Sequence, residues 1–441
     1  MANAFQHEAF IAACEESFLT QPTPRENCHD RWRSESYALL IPSMACRARH
    51  QCLETSVGSE VFGAKKRDRN KSPDVFNPSR SECSLLWREM PMLQPSVPKL
   101  DPREEHYWIS SPRSGLQLFL RHLSPSKGRP MGMRPVLYVH GATFPSGLSI
   151  AHRFDGYSWR DALCEAGFDV WGFDFHGYGH SDRYPEMSEP PQAHPPLCRA
   201  ADATEQLQAV ARFIVQQHGT RNLSMISHSW ASMPICRFAG EHPTMVDRLV
   251  LFGPIARRPA RRYEKPPPAP AWRYVTLEDQ WTRFVEDVPP HEQPVLSRRH
   301  FEDWGEKYLD SDPDSRSRNP ASVKTPTGPF SDILHAWHGE LAYDPASVRA
   351  PVAIIRGEWD GLIPDEDARW LFDAFKNSPN KRDIKISRGT HLMHLEEMRY
   401  ALYRESAAFL MADDKAPAQH AGATRRPNQQ QEGGQNHGRP A

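Results

Sequence analysis

Leu223-Ser224-Met225-Ile226-Ser227-His228-Ser229-Trp230-Ala231 is an apolar run that ends in small-x-Ser-x-small and reads on as a helix. A serine hydroxyl is a poor nucleophile unless a sharp, strained strand-to-helix turn exposes it beside a base. Bulk two residues to either side would collide across such a turn, and the residues there, Ser227 and Ala231, are small. Ser229 is therefore the candidate nucleophile. The bland reading of the same pattern is a serine that caps a helix. Ser227 fits less well as nucleophile, because Met225 would then stand where bulk is not tolerated.

Two loops downstream supply partners in order. Val352-Ala353-Ile354-Ile355-Arg356-Gly357-Glu358-Trp359-Asp360 reads as a buried β-branched strand that ends in a glycine loop carrying acids. Asp383-Ile384-Lys385-Ile386 alternates like a strand and is followed by Ser387-Arg388-Gly389-Thr390-His391. Asp360 and His391 thus follow the ends of successive strands, as Ser229 does. Glu358 competes with Asp360 as the acid, and Asp360 fits the loop better. His394, three residues after His391, suggests a metal pair, but a site of that kind needs a third ligand at suitable spacing and none is evident.

Upstream, Pro135-Val136-Leu137-Tyr138-Val139-His140-Gly141-Ala142-Thr143 is a strand running into a His-Gly loop, which can aim a backbone N–H at a developing oxyanion. Such donors are a large part of acyl-transfer catalysis, and removing one costs roughly 3 to 4 kcal/mol. The N–H groups of Ala142 and Trp230 are the candidate oxyanion hole. A further strand, Phe168 to Asp174, leads into His176-Gly177-Tyr178-Gly179-His180-Ser181, whose glycines permit a tight turn beneath the site.

Together these residues resemble the α/β-hydrolase superfamily, in its serine-esterase and lipase-like branch. His140-Gly141, Asp174-x-His176-Gly177-x-Gly179-x-Ser181, Ser227-His228-Ser229-Trp230-Ala231, Gly357-x-x-Asp360 and Gly389-Thr390-His391 carry the likeness, over roughly Tyr107 to Met411. It implies an α/β fold with a mostly parallel central sheet flanked by helices and an inserted helical cap. By the same resemblance Ser229 is nucleophile, His391 general base and then acid, and Asp360 the orienting carboxylate. Both elbow glycines are replaced by other small residues, and His176 stands where arginine is common in the family. A serine at the elbow speaks against dehalogenases and epoxide hydrolases, which use a carboxylate. No cofactor and no metal are implied. The expected reaction is hydrolysis of a carboxylic ester, with lactone or thioester cleavage, acyl transfer and carbon–carbon bond hydrolysis as neighbouring chemistries. A non-catalytic binding protein on the same fold is the contrasting class, and the retained triad argues against it.

Composition narrows the setting. The 441 residues carry 54 basic and 55 acidic side chains, a formal net charge of -1, so no global field favours nucleic acid. Met1-Ala2-Asn3-Ala4-Phe5 lacks the basic and apolar regions of a signal peptide, and no run approaches the roughly 20 apolar residues of a membrane span. The expectation is a cytoplasmic enzyme with a small-molecule substrate and no stable membrane insertion. Neither oligomeric state nor natural substrate is encoded in a recognisable motif.

The division expected is a disordered extension over 1–100, a first core segment over 101–254, a cap over 255–348, a second core segment over 349–412 and a disordered tail over 413–441. The extension holds scattered Cys14, Cys28, Cys46, Cys52 and Cys83, a basic run from Gly63 to Lys71, and Met90 and Met92 as an alternative start. Cys164 and Cys236 read as small core residues. The cap segment contains Trp272, Tyr274, Trp281, Phe284, Phe301, Trp304, Phe330 and Trp337. Large aromatics of this kind are first a core; those that reach the pocket would favour a bulky apolar acyl or alcohol group.

Overall fold

The computed structural model describes residues 97–125, 135–259, 266 and 268–412. The expectations for the N-terminal cysteines, the basic run, the alternative start and the C-terminal tail lie outside these residues.

The sheet is built from β1 (Glu105–Ser110), β2 (Gln117–Leu123), β3 (Val136–Val139), β4 (Val170–Phe173), β5 (Leu223–His228), β6 (Val246–Phe252), β9 (Val352–Gly357) and β10 (Lys381–Ile386), with β7 (Trp272–Thr276) and β8 (Ser322–Pro326) apart from it. Its eight strands lie in the order β1-β2-β4-β3-β5-β6-β9-β10. From β4 to β10 neighbouring strands pair in parallel, and β1 and β2 add an antiparallel edge. Eight helices are described: α1 (Trp159–Glu165), α2 (Ala200–His218), α3 (Ser232–Glu241), α4 (Leu277–Val285), α5 (Arg298–Asp310), α6 (Gly328–Trp337), α7 (Asp365–Ala374) and α8 (Arg399–Met411).

Both faces of the central strands are buried, which is why those strands read as continuous apolar runs rather than as alternating patterns. Side-chain alternation still sorts them. Leu137, Val139, Met225, Leu249 and Ile354 pack with Leu207 of α2, Ile235 of α3 and Leu371 of α7. Val136, Tyr138, Ile226, Val250 and Ile355 pack on the opposite face with Trp159 and Leu163 of α1 and Leu402 and Phe409 of α8. Cys164 and Cys236 are buried in helices as the sequence suggests, and Cys198 is buried as well.

Local signals set the helix ends. Ser158 and Asp161 form a reciprocal capping box at the start of α1, and Gly219 closes α2 in the left-handed conformation at φ +61°. Among the described residues, no helix is long and apolar enough to cross a membrane.

The segment between β6 and β9 departs from a purely helical insertion. Besides α4, α5 and α6 it holds an antiparallel ribbon in which Trp272 to Thr276 pairs with Pro326 to Ser322. These strands are far apart in sequence, so no hairpin turn announces them. Phe284, Phe301, Trp304 and Tyr308 form a core of their own, packed against Phe144 and Leu148 from the loop after β3 and against Leu392 and Leu395. Trp272, Ile333 and Trp337 instead join the core of the main sheet.

Candidate active site

The turn after β5 has the geometry that an exposed nucleophile needs. Ser229 has φ +58°, and Ser229–Ala231 form a single 3-10 turn before α3 begins. A left-handed serine is strained by about 1 kcal/mol or more, and such outliers concentrate at functional sites. The strain is held in place by close packing. A Cβ added at Gly141 would lie 3.0 Å from the His228 carbonyl and 3.1 Å from Ser229 Cβ, so only glycine lets the β3 loop approach the elbow. In that loop Thr143 is also left-handed, at φ +73°.

Asp360 and His391 meet as a pair. The His391 Nδ1–H donates to both Asp360 oxygens, at 2.9 and 3.0 Å, and the Leu362 N–H donates to Oδ1 at 3.0 Å. Burial alone would raise the Asp360 carboxyl, but the attraction and hydrogen bond of His391 and the positive charge of Arg283 outweigh it and hold the group below its ordinary value. Gly253 makes room for the pair: a Cβ there would stand 3.0 Å from Asp360 Oδ2 and from His391 Nδ1. Glu358, the competing acid, accepts instead from the Arg388 N–H at 3.1 Å.

The other imidazole nitrogen, His391 Nε2, is buried and has no hydrogen-bond partner among the described residues. His391 and Ser229 line one cavity of about 190 Å³ together with Ala142 and Thr143. The serine and imidazole are therefore neighbours across a cavity rather than a formed hydrogen-bonded pair, and such bonds often tighten only when substrate is bound. Trp230 is wholly buried beside the elbow, with its indole directed to Asp332.

Of the aromatic residues in the inserted segment, Phe330 lines this cavity and none of the tryptophans does. The roof is more polar than the sequence suggests, with Arg273, Asp279, Arg283 and Glu286 beside Val275 and Ile333. Arg273 stacks on Phe330 with its guanidinium carbon 4.1 Å from the ring centre. Arg283 donates to Glu286 at 2.5 Å and to Asp287 at 3.3 Å. Burial raises the Glu286 and Asp287 carboxyls against the pull of Arg283.

Several of these groups escaped the sequence reading. His228 is fully enclosed, its ring stacked on Phe252 at 4.9 Å, and its Nε2–H donates to the His391 carbonyl at 2.9 Å. Burial holds His228 far below the ordinary imidazole value, so the ring is neutral. Glu396 accepts from the Thr390 N–H at 3.1 Å and from the Thr390 hydroxyl, bracing the loop that carries His391, and burial pushes its carboxyl up to about 8. A period-based reading has no handle on such residues, because their roles depend on contacts between separate loops.

His394 does not pair with His391 around a shared site. It is buried, its ring lies 4.6 Å from that of His228, and burial lowers it to about 3. The described cluster with metal-ligand spacing lies elsewhere: His122, Asp169 and His218 offer atoms within 4.8 Å of one another. Asp169 precedes β4, at the opposite end of the parallel strands from Ser229. His122 already bonds Asp169 at 3.1 Å, and His218 accepts from Trp171 at 2.9 Å, so each member of the group has a hydrogen-bond partner within the protein.

Comparison with known proteins agrees with this architecture. Residues 134–398 match the family described as alpha/beta hydrolase fold. No curated protein sequence gives a significant match. Similar solved structures include a bromoperoxidase from Bacillus anthracis, at 15% identity and TM-score 0.47, covering 70% of this chain and 100% of that one. A thioesterase domain from the curacin biosynthetic pathway has 15% identity and TM-score 0.46, covering 70% and 99%. A thermophilic esterase from Thermogutta terrifontis has 17% identity and TM-score 0.44, covering 69% and 98%. With the family match spanning more than half of its length, the chain belongs to the alpha/beta hydrolase fold family.

Proposed function

We propose that this protein is a serine hydrolase that cleaves a carboxylic ester through an acyl-enzyme intermediate. The reading is carried by one observation: His391 is bonded through Nδ1 to buried Asp360, while its Nε2, without a hydrogen-bond partner, shares a cavity with the strained Ser229. An ionised carboxylate only accepts, so the imidazole proton sits on Nδ1 and a lone pair is left at Nε2. That lone pair takes the Ser229 proton as Oγ attacks the ester carbonyl. The alkoxide then leaves with the proton from His391. Water, deprotonated by the same nitrogen, releases the acid and restores the serine.

In this reading the N–H groups of Ala142 and Trp230 stabilise the oxyanion, and the positive end of α3 adds to their field. Residues 255–348 act as the cap, since β7, α4 and α6 supply the roof of the cavity. The volume of about 190 Å³ is smaller than the roughly 300–1,000 Å³ of pockets for drug-sized ligands. A short acyl or alcohol group bearing a polar substituent suits it better than the bulky apolar group suggested by the tryptophans.

The test is turnover of a panel of short-chain, polar and aromatic esters by the native protein and by Ser229→Ala. The native protein should release acid, and the variant should be slower by several orders of magnitude. Equal rates for the two would remove the reading.

A further inference from the structure

We infer that Asp332 of α6 is a positioning residue for the oxyanion hole, acting by fixing the indole of Trp230 and through it the backbone N–H beside the nucleophile. The inference rests on the triad reading above and adds a residue that no sequence motif marks.

The elbow needs an external brace. Neither the 3-10 turn Ser229–Ala231 nor α3 has a side chain capping its first turn, and the turn opens on a left-handed residue. A backbone held in a sparsely populated conformation persists only when its surroundings over-determine it. Trp230 is the largest side chain in that turn and is wholly buried, so its N–H requires a partner.

Asp332 supplies that partner and is itself immobilised. Its Oδ2 accepts the Trp230 Nε1–H at 3.0 Å and the Ala200 N–H at the start of α2 at 2.6 Å. Its Oδ1 accepts from Arg199 Nε. The carboxylate is almost wholly buried, and three donors from two separate parts of the chain converge on it. Phe175 packs edge-on to the indole at 5.5 Å, which limits its motion on another side.

The same helix faces the cavity. Phe330 and Ile333, which flank Asp332 on α6, line the space that Ser229 and His391 share. One short helix thus touches the substrate side and, one residue away, holds the residue next to the nucleophile. Loss of the indole anchor would let the Trp230 peptide tilt away from the position of the developing oxyanion. An interaction made only in the transition state is lost from kcat rather than from KM.

Two variants isolate the effect. Trp230→Phe deletes the N–H and keeps the aromatic ring; Asp332→Asn removes the charge and keeps the shape. With p-nitrophenyl butyrate as substrate, each should lower kcat roughly tenfold to a hundredfold, the scale of a small misplacement at a reacting centre, with KM little changed. Butaneboronic acid, which mimics the tetrahedral adduct, should bind more weakly by a matching factor. The double variant should be no slower than the slower single one, because both cut the same link. Native kcat in Trp230→Phe, a lowered melting temperature as the sole effect, unchanged boronate affinity, or losses that multiply in the double variant would each overturn the role of Asp332. A native protein whose Ser229 forms no adduct with a fluorophosphonate would remove the triad reading beneath it. A labelled native protein with unimpaired variants would remove this inference alone.

Discussion

The Nε2–H of His228 donates to the backbone carbonyl of His391 across 2.9 Å, so the residue before the elbow serine secures the loop that carries the imidazole. Ser229 and His391 come from distant parts of the chain, and this bond joins the neighbour of the one to the backbone of the other. His228→Phe keeps an aromatic ring on Phe252 and removes the donor. The variant should lose about 1–3 kcal/mol of stability, the cost of removing one partner from a buried polar pair. Urea denaturation checks this, and an unchanged midpoint would show that the bond carries no weight.

Strain at Ser229 makes a prediction that separates stability from activity. Ser229→Ala and Ser229→Gly should both abolish turnover, but glycine tolerates φ +58° and alanine does not. Ser229→Gly should be the more stable of the two by about 1 kcal/mol, despite the greater flexibility of glycine in the unfolded chain. Thermal unfolding of the pair decides it, and an alanine variant at least as stable would mean that the turn is relaxed.

Glu396 predicts a pH dependence of folding. Its carboxyl is pushed up to about 8 by burial, against an ordinary value of 4.5. Between those values the folded protein keeps a proton that the unfolded chain has released, so stability falls as pH rises, by up to about 1.4 kcal/mol per pH unit from this group. Glu396→Gln keeps an acceptor for Thr390 and removes the titration. Its stability relative to the native protein should therefore increase from about pH 5 to about pH 8 and level off above. A constant difference over that range would contradict the assignment.

The close approach of Gly141 to the elbow predicts that Gly141→Ala is damaging out of proportion to one methyl group. The added carbon would stand 3.0 Å from the His228 carbonyl and 3.1 Å from Ser229 Cβ, and the β3 loop would have to withdraw with its Ala142 N–H. Ester turnover should fall by about tenfold or more. Native kcat would place the oxyanion donor elsewhere.

The parts of the fold legible in sequence are those with local signals. Doubly buried strands such as Val352–Gly357 read as apolar runs, Gly219 marks the end of α2, and the turns after β5, β9 and β10 carry residues whose chemistry identifies them. What stayed hidden depends on contacts between distant segments. The pairing of Trp272–Thr276 with Ser322–Pro326 has no turn to announce it. Arg283 on α4 and Glu286 just beyond its end carry no local mark of a pocket, and it is the closure of the inserted segment over Ser229 that brings them to the cavity. The tryptophans are closer to their local reading: large aromatics in this segment read first as a core, and Trp304 and Trp337 fill cores without lining the cavity.

The histidine–aspartate contact predicts that Asp360→Asn leaves the fold intact and lowers kcat by about four orders of magnitude, because the amide favours the wrong imidazole tautomer. Glu358→Gln should retain native activity, since Glu358 is engaged with the Arg388 N–H. The reverse pattern in steady-state kinetics would exchange the two acids.

Covalent labelling is the most direct measurement of the central claim. After treatment of the native protein with a fluorophosphonate, peptide mass spectrometry should find one adduct, on Ser229, and the adduct should disappear in His391→Ala. A modified residue other than Ser229, or an unreactive native protein, would contradict the account.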